Sequence, residues 1–155
     1  MKAHMAFASV MGIGHIKGGG TLAALVFAII WYLLPADYAN SSWQVFITVV
    51  LVGAGTYSSS VVEAIWGKDS SKVVIDELAG MAISLCFVPH HLWNALAALL
   101  LFRFFDILKP LGIRHLEKWP GGWGVMADDV LAGIYTCMIM ALLNNFNAWQ
   151  VLLKS

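Results

Sequence analysis

Between Phe102 and Gly133 the stretch FRFFDILKPLGIRHLEKWPGGWGVMADDVLAG gathers Arg103, Asp106, Lys109, Arg114, Glu117, Lys118, Asp128 and Asp129. The chain around it is 60% hydrophobic and only 12% charged, so its ionisable groups are strongly concentrated here. Carboxylates within reach of several cations are what a site needs if it must hold a divalent metal and grip a phosphate at once. A solvated loop joining two membrane helices, its charges facing water, has the same composition.

Spacing narrows the chemistry. Arg103, Asp106 and Lys109 recur every three residues, so on a helix they project from one face and could converge on one oxyanion. Two acid pairs, Asp76-Glu77 in VVIDELAG and Asp128-Asp129 in VMADDVLAG, stand directly ahead of apolar runs. N-capping of a helix accounts for one acid of each pair. Adjacent helical residues diverge by about 100°, so the second acid must face water or the bundle interior. Brought to one face of a membrane, Asp76, Glu77, Asp106, Asp128 and Asp129 could furnish the oxygen ligands Mg2+ takes, with waters completing an octahedron. Arg103, Lys109 and Arg114 could neutralise a phosphate while the metal polarises it and lowers the pKa of a bound water. An ordinary surface ion-pair ladder shares this spacing, although idle charge beside hydrocarbon is costly. Glycines 18–20 followed by Thr21 suit a phosphate cradle of backbone N–H groups at a helix start, or equally a flexible turn at the membrane surface. The string GGWG at 121–124 reads as a hinge or a close-approach loop.

The elements that must position these groups are helical. A chain of 155 residues with this apolar fraction is a single domain over 1–155 and a membrane bundle by default. Net charge is zero and no basic stripe carries interleaved aromatics, which leaves nucleic-acid binding without support. Cys86 and Cys137 sit in apolar runs and read as packing residues with no disulfide. The start lacks the compact apolar core and cleavage site of a secretory signal. Apolar runs at Thr21–Leu34, Trp43–Ser60, Leu78–Phe105 and Val130–Asn144 predict membrane helices, with Trp31 and Tyr32 as interfacial anchors. Ser58 to Asp76 reads as water-facing. Uninterrupted, the run from Leu78 to Phe105 would extend about 42 Å and part Asp76-Glu77 from Asp106. Pro89-His90-His91 is a poor helix interior and a reasonable turn, so a hairpin is expected that returns both ends to one face. Its arms fall short of the roughly 30 Å hydrocarbon core, hence a re-entrant pair or a thinned bilayer. The fold class is therefore all-α: a small polytopic membrane helical bundle with a broken or re-entrant hairpin. This path puts Lys2, Lys17, Lys68, Lys72, Arg103, Lys109, Arg114 and Lys118 on one side and Lys154 alone on the other, a positive-inside bias that makes the acidic face cytoplasmic.

FRFFDILKP at 102–110, GGWGVMADDVLAG at 121–133, DELAG at 76–80 and GIG…GGGT at 12–21 together resemble the phosphatidylglycerophosphatase A proteins of bacteria, small integral-membrane lipid phosphatases. The likeness spans nearly the whole chain in the expected order; Gly19-Gly20-Thr21 stands where that family usually has Pro-Gly-Thr. What it implies is removal of the terminal phosphate of phosphatidylglycerophosphate, Mg2+ dependence and a cytoplasm-facing site in the bacterial inner membrane. The family's acidic motif positions fall on Asp76, Glu77, Asp106, Asp128 and Asp129, and its basic ones on Arg103 and Lys109. The expected catalytic set is thus Asp76, Glu77, Asp106, Lys109, Asp128 and Asp129, with Thr21, Arg103, Lys109 and Arg114 on the substrate side and the five carboxylates as metal ligands. The expected partner is a membrane phospholipid, and no protein partner is implied. The competing expectation is a non-enzymatic membrane protein, a cation carrier or assembly factor whose acids bind metal structurally.

Overall fold

A computed structural model describes residues 1–38, 41–68 and 70–152, with the side chains of Glu117 and residues 147–152 outside the description. Lys154, counted in the charge distribution above, and Asp69 lie outside the described residues. Six α-helices follow in order: α1 Lys2–Ala8, α2 Gly19–Leu33, α3 Ser42–Trp66, α4 Ile75–Ser84, α5 Leu92–Leu108 and α6 Gly122–Leu152. Short 3-10 turns lie at Ile13–His15, Ala36–Tyr38 and Ile113–Lys118, and no strand occurs among the described residues.

Local chemistry explains where the helices begin and end. Gly18 is left-handed (φ 81) and opens α2, which stops at Leu34 because the residue before Pro35 is pushed to extended geometry (ψ 156). In α3 the run of Val, Ile and Thr has modest helix propensity, but an apolar surrounding forces backbone groups to pair internally, which a helix does completely. Side-chain hydroxyls are hidden in the same way: Thr48, Thr56, Ser60, Ser84 and Thr136 each donate to the carbonyl four residues back at 2.7–2.9 Å. Gly67 (φ 84) ends α3, its N–H returning to Glu63 O at 2.9 Å. The expected water-facing segment from Ser58 is therefore helical up to Trp66, and Glu63 belongs to α3.

The expected hairpin is present. Leu85 to His91 separate α4 from α5, and Phe87 (φ 60) turns the chain just ahead of Pro89. At 10 residues α4 rises only about 15 Å, while the 17 residues of α5 rise about 26 Å. His90, in the turn, donates from Nε2 to Trp31 O (3.0 Å), tying this end to the far end of α2. Trp31 is accordingly core and only 1% exposed, not the interfacial anchor its position predicted, while its neighbour Tyr32 stays exposed. Helices α2 to α6 thus alternate in direction, and α1 packs on α3, where His4 Nδ1 lies 3.1 Å from Ser58 Oγ.

Two spans, Ser42–Trp66 and Gly122–Phe146, are long and apolar enough to cross a membrane. Only 33% and 39% of their apolar windows are buried inside the fold, whereas the core helix of a water-soluble protein would be mostly covered. Ile29, Phe46, Val49, Trp93, Leu100 and Leu142 lie on the outside with their side chains exposed, an exterior suited to lipid.

Candidate active site

The close approach of α4 and α6 sets the site. A Cβ on Gly80 would stand 2.5 Å from the Phe102 ring and 2.8 Å from Asp129 O, and one on Gly133 would stand 2.5 Å from Gly80 O. Only glycine permits this contact, the small-residue packing by which helices associate where water supplies no driving force. The acids stand one turn above the glycines on each helix, Asp76-Glu77 over Gly80 and Asp129 over Gly133, so closing the helices brings the acids together. One oxygen from each of Asp76, Glu77 and Asp129 lies within 4.8 Å of the others.

Each of these carboxylates keeps one unmet oxygen. Asp76 Oδ1, Glu77 Oε2 and Asp129 Oδ1 are buried with no hydrogen-bond partner among the described residues. Like charges at this separation repel strongly away from bulk water, and a cation among them removes both the repulsion and the unmet hydrogen-bonding demand. An all-carboxylate donor set is that of a hard divalent ion, so Asp76, Glu77 and Asp129 could hold one.

The other two acids are engaged by cations. Arg103 Nη1 pairs with Asp106 Oδ2 one turn on along α5. Lys109 Nζ donates to Asp128 Oδ2 at 2.5 Å, and Asp128 Oδ1 accepts the Asp129 N–H at 3.1 Å. Lys109 is not in the helical register its spacing predicted. It caps α5 in the left-handed conformation (φ 48, ψ 48), and from there its side chain reaches across to α6.

All six expected catalytic residues, Asp76, Glu77, Asp106, Lys109, Asp128 and Asp129, line one cavity of about 300 Å³. A second cavity of about 570 Å³ adjoins it, sharing Ser71, Val73 and Glu77. Its walls include Lys17, Gly18 to Thr21 and Arg103, so two expected substrate-side residues, Thr21 and Arg103, meet there with the glycine turn at the start of α2. Arg114 lines neither cavity. Leu111 and Gly112 are both left-handed (φ 55 and 87), and this reversal after α5 leaves Arg114 exposed on the 3-10 turn.

Neither acid pair caps a helix. Val74 occupies the N-cap of α4 without a side-chain cap bond, and Asp128-Asp129 lie more than a turn inside α6. Of the uncharged residues that set the geometry, Gly80, Gly133 and Ser60 carry no expectation from sequence, and Gly20 is expected only in the phosphate cradle or turn. A Cβ on Gly20 would run into the Glu77 carboxylate, and Ser60 Oγ accepts the Gly122 N–H at 2.9 Å, fixing the start of α6. A signal for two of them was present, since DELAG and DVLAG both place glycine four residues, about one helical turn, after an acid.

Fold and site together define a helical membrane protein with a charged, acid-lined pocket at one end of its bundle. A carrier would place such groups near mid-depth instead. The chain belongs to the phosphatidylglycerophosphatase A family, whose sequence model matches residues 6–144, and it is a phosphoric monoester hydrolase. It is 44% identical over 131 residues to a Bacteroides thetaiotaomicron protein that carries the provisional name phosphatidylinositol-3-phosphatase, covering 79% of this chain and 81% of that one. It is 35% identical over 126 residues to phosphatidylglycerophosphatase A of Escherichia coli K12, covering 78% and 69% of the two chains. With phosphatidylglycerophosphatase A of Haemophilus influenzae it shares 49% identity over 74 residues, 46% and 45% of the two chains. No solved structure matches it.

Proposed function

We propose that the chain is a Mg2+-dependent phosphatase that converts phosphatidylglycerophosphate to phosphatidylglycerol and phosphate. The observation that carries this reading is the set of three buried carboxylate oxygens without partners, flanked by two cations that are themselves held in place. Asp76, Glu77 and Asp129 would hold Mg2+, which when bound would offset phosphate charge and lower the pKa of a coordinated water. Lys109 and Arg103 present N–H donors to the phosphate, and their carboxylate partners Asp128 and Asp106 fix where those donors point. Gly18 to Thr21 at the start of α2 line the second cavity, and a helix N-terminus there suits an anionic headgroup. Membership of the family supports a phosphorylated glycerolipid as substrate.

The pocket end also receives Lys17, Lys68, Lys72, Arg103, Lys109, Arg114 and Lys118, so the positive-inside rule turns it toward the cytoplasm of a bacterial inner membrane crossed several times by the chain. A second reading, a phosphatidylinositol monophosphate as substrate, is favoured by the name of the Bacteroides relative. A panel of phospholipid monophosphates offered to the purified protein, with and without Mg2+, separates them. Phosphate release from phosphatidylglycerophosphate that EDTA abolishes and Mg2+ restores is the expected result. Release from phosphatidylinositol 3-phosphate alone transfers the site to the second reading, and cation flux into vesicles with no release from any lipid sinks both.

A further inference from the structure

The seam between α2 and α5 carries three openings in a row. At the pocket end is the headgroup cavity, which Thr21 lines from α2 and Arg103 from α5. One turn further along each helix, at Leu25 and Leu99, begins a cleft of about 100 Å³ whose lining is wholly apolar. Ala28 and Ala95 form its floor, 6% and 4% exposed, and Ile29 and Leu96 form its more exposed walls. The cleft exists because both floor residues are alanines; a larger side chain on either helix would fill it. At the far end Tyr32, Leu33, His90 and His91 line a third opening, where the His90 ring stacks on Tyr32 with centroids 5.7 Å apart.

We propose that the α2–α5 seam is the lateral path by which the lipid reaches the site, and that it holds one acyl chain of the substrate along the apolar cleft. This rests on the lipid-phosphatase reading above. A slot with no polar lining, flanked by exposed Ile29 and Leu96 and starting one helical turn from the charged headgroup cavity, matches the order of parts in a phospholipid: charged headgroup, then hydrocarbon. From Thr21 to Tyr32 the seam runs about 17 Å at the helical rise, and the stacked Tyr32–His90 pair marks where the apolar lining ends. A second apolar hollow, lined by Trp119, Trp123, Ala127 and Ile134, lies on α6 and the 3-10 turn, and none of its residues lines the headgroup cavity.

Chain-length selectivity tests this. Phosphate release is measured from dioleoyl- and dihexanoyl-phosphatidylglycerophosphate with Ala95→Leu, which fills the floor, and with Leu96→Trp, which crowds an exposed wall that tolerates bulk. The ratio of kcat/KM for the long-chain over the short-chain lipid should fall roughly tenfold in both, the scale of discrimination an apolar pocket exerts. Ile134→Trp, on the α6 hollow, should leave that ratio unchanged. A phosphatidic acid with a photoreactive acyl chain, cross-linked to the wild-type protein in vesicles, should label peptides from α2 and α5. Parallel losses on both lipids, a ratio that responds to Ile134→Trp instead, or label recovered from α3 and α6 would overturn the proposal. If the wild-type protein hydrolyses neither lipid, the proposed function has failed, while the cross-linking pattern still decides the seam.

Discussion

Helices α4 and α6 enter the site side by side in the same direction, each with an acid pair followed within a turn by a glycine, and yet the two pairs are used differently. On α4, Asp76 and Glu77 both contribute an oxygen to the cluster. On α6 the pair is split: Asp129 joins the α4 acids, while Asp128 is taken by Lys109 at 2.5 Å. Asp76 and Asp129 both stand four residues ahead of the glycine, but Glu77 stands three ahead and Asp128 five, so the remaining acid of each pair meets different neighbours. The loop after α5 delivers an ammonium group to Asp128, and no ion pair among the described residues reaches Asp129. An acid's role here is set by the cation that an adjacent element brings to it.

The largest effect should come from breaking the cluster. Asp129→Asn or Asp76→Asn removes one negative charge from the three-carboxylate set without changing its volume. We expect turnover to fall more than about a hundredfold, beyond the usual cost of losing an outer-shell partner, together with the affinity for Mn2+ read by electron paramagnetic resonance. Wild-type metal affinity in the Asp129→Asn protein would show that the cluster is not a metal site.

Changes to the Asp128–Lys109 pair should be milder and of another kind. Lys109→Gln leaves the Asp128 carboxylate without its ammonium partner beside the acid cluster, and Asp128→Asn removes the charge that holds the ammonium against α6. Each should lower kcat about 10- to 100-fold while Mn2+ affinity stays within about threefold. Because the two groups act as one unit, the double variant should lose little more than the worse single variant. Additive losses would mean that they work separately and that the contrast between the two acid pairs is false.

Much of this arrangement was legible in the residues. Pro89-His90-His91 marked the hairpin, and the hairpin alone determined that Asp76-Glu77 and Asp106 share one end. What could not be read depends on contacts between distant parts of the chain. Gly-Gly-Trp-Gly is a poor helix sequence, but α6 begins there because Ser60, 62 residues away, accepts the Gly122 N–H, and because Gly122 lies against Thr56 O. Lys109 reaches its partner through a left-handed cap, a conformation that spacing rules do not anticipate. Trp31 stands where a membrane anchor belongs, and it is core because the distant hairpin turn packs the His90 ring on it at 4.7 Å.

Arg103 and Arg114 give the finest version of the same comparison, since both were expected to grip phosphate from sequence alone. Arg103 leaves α5 within the helix, pairs with Asp106 and lines the headgroup cavity. Arg114 lies beyond two consecutive left-handed residues, exposed, and lines neither of the two charged cavities. A guanidinium at a charged membrane surface can still draw an anionic lipid toward the site, but such an effect is long-range and screened by salt. Arg114→Ala should therefore leave kcat unchanged and shift KM by no more than about twofold at low ionic strength, with the shift gone in salt that shortens the screening length to about 3 Å. A fall in kcat that persists at high salt would put Arg114 back among the phosphate ligands, and would require the loop after α5 to close over the cavity during turnover.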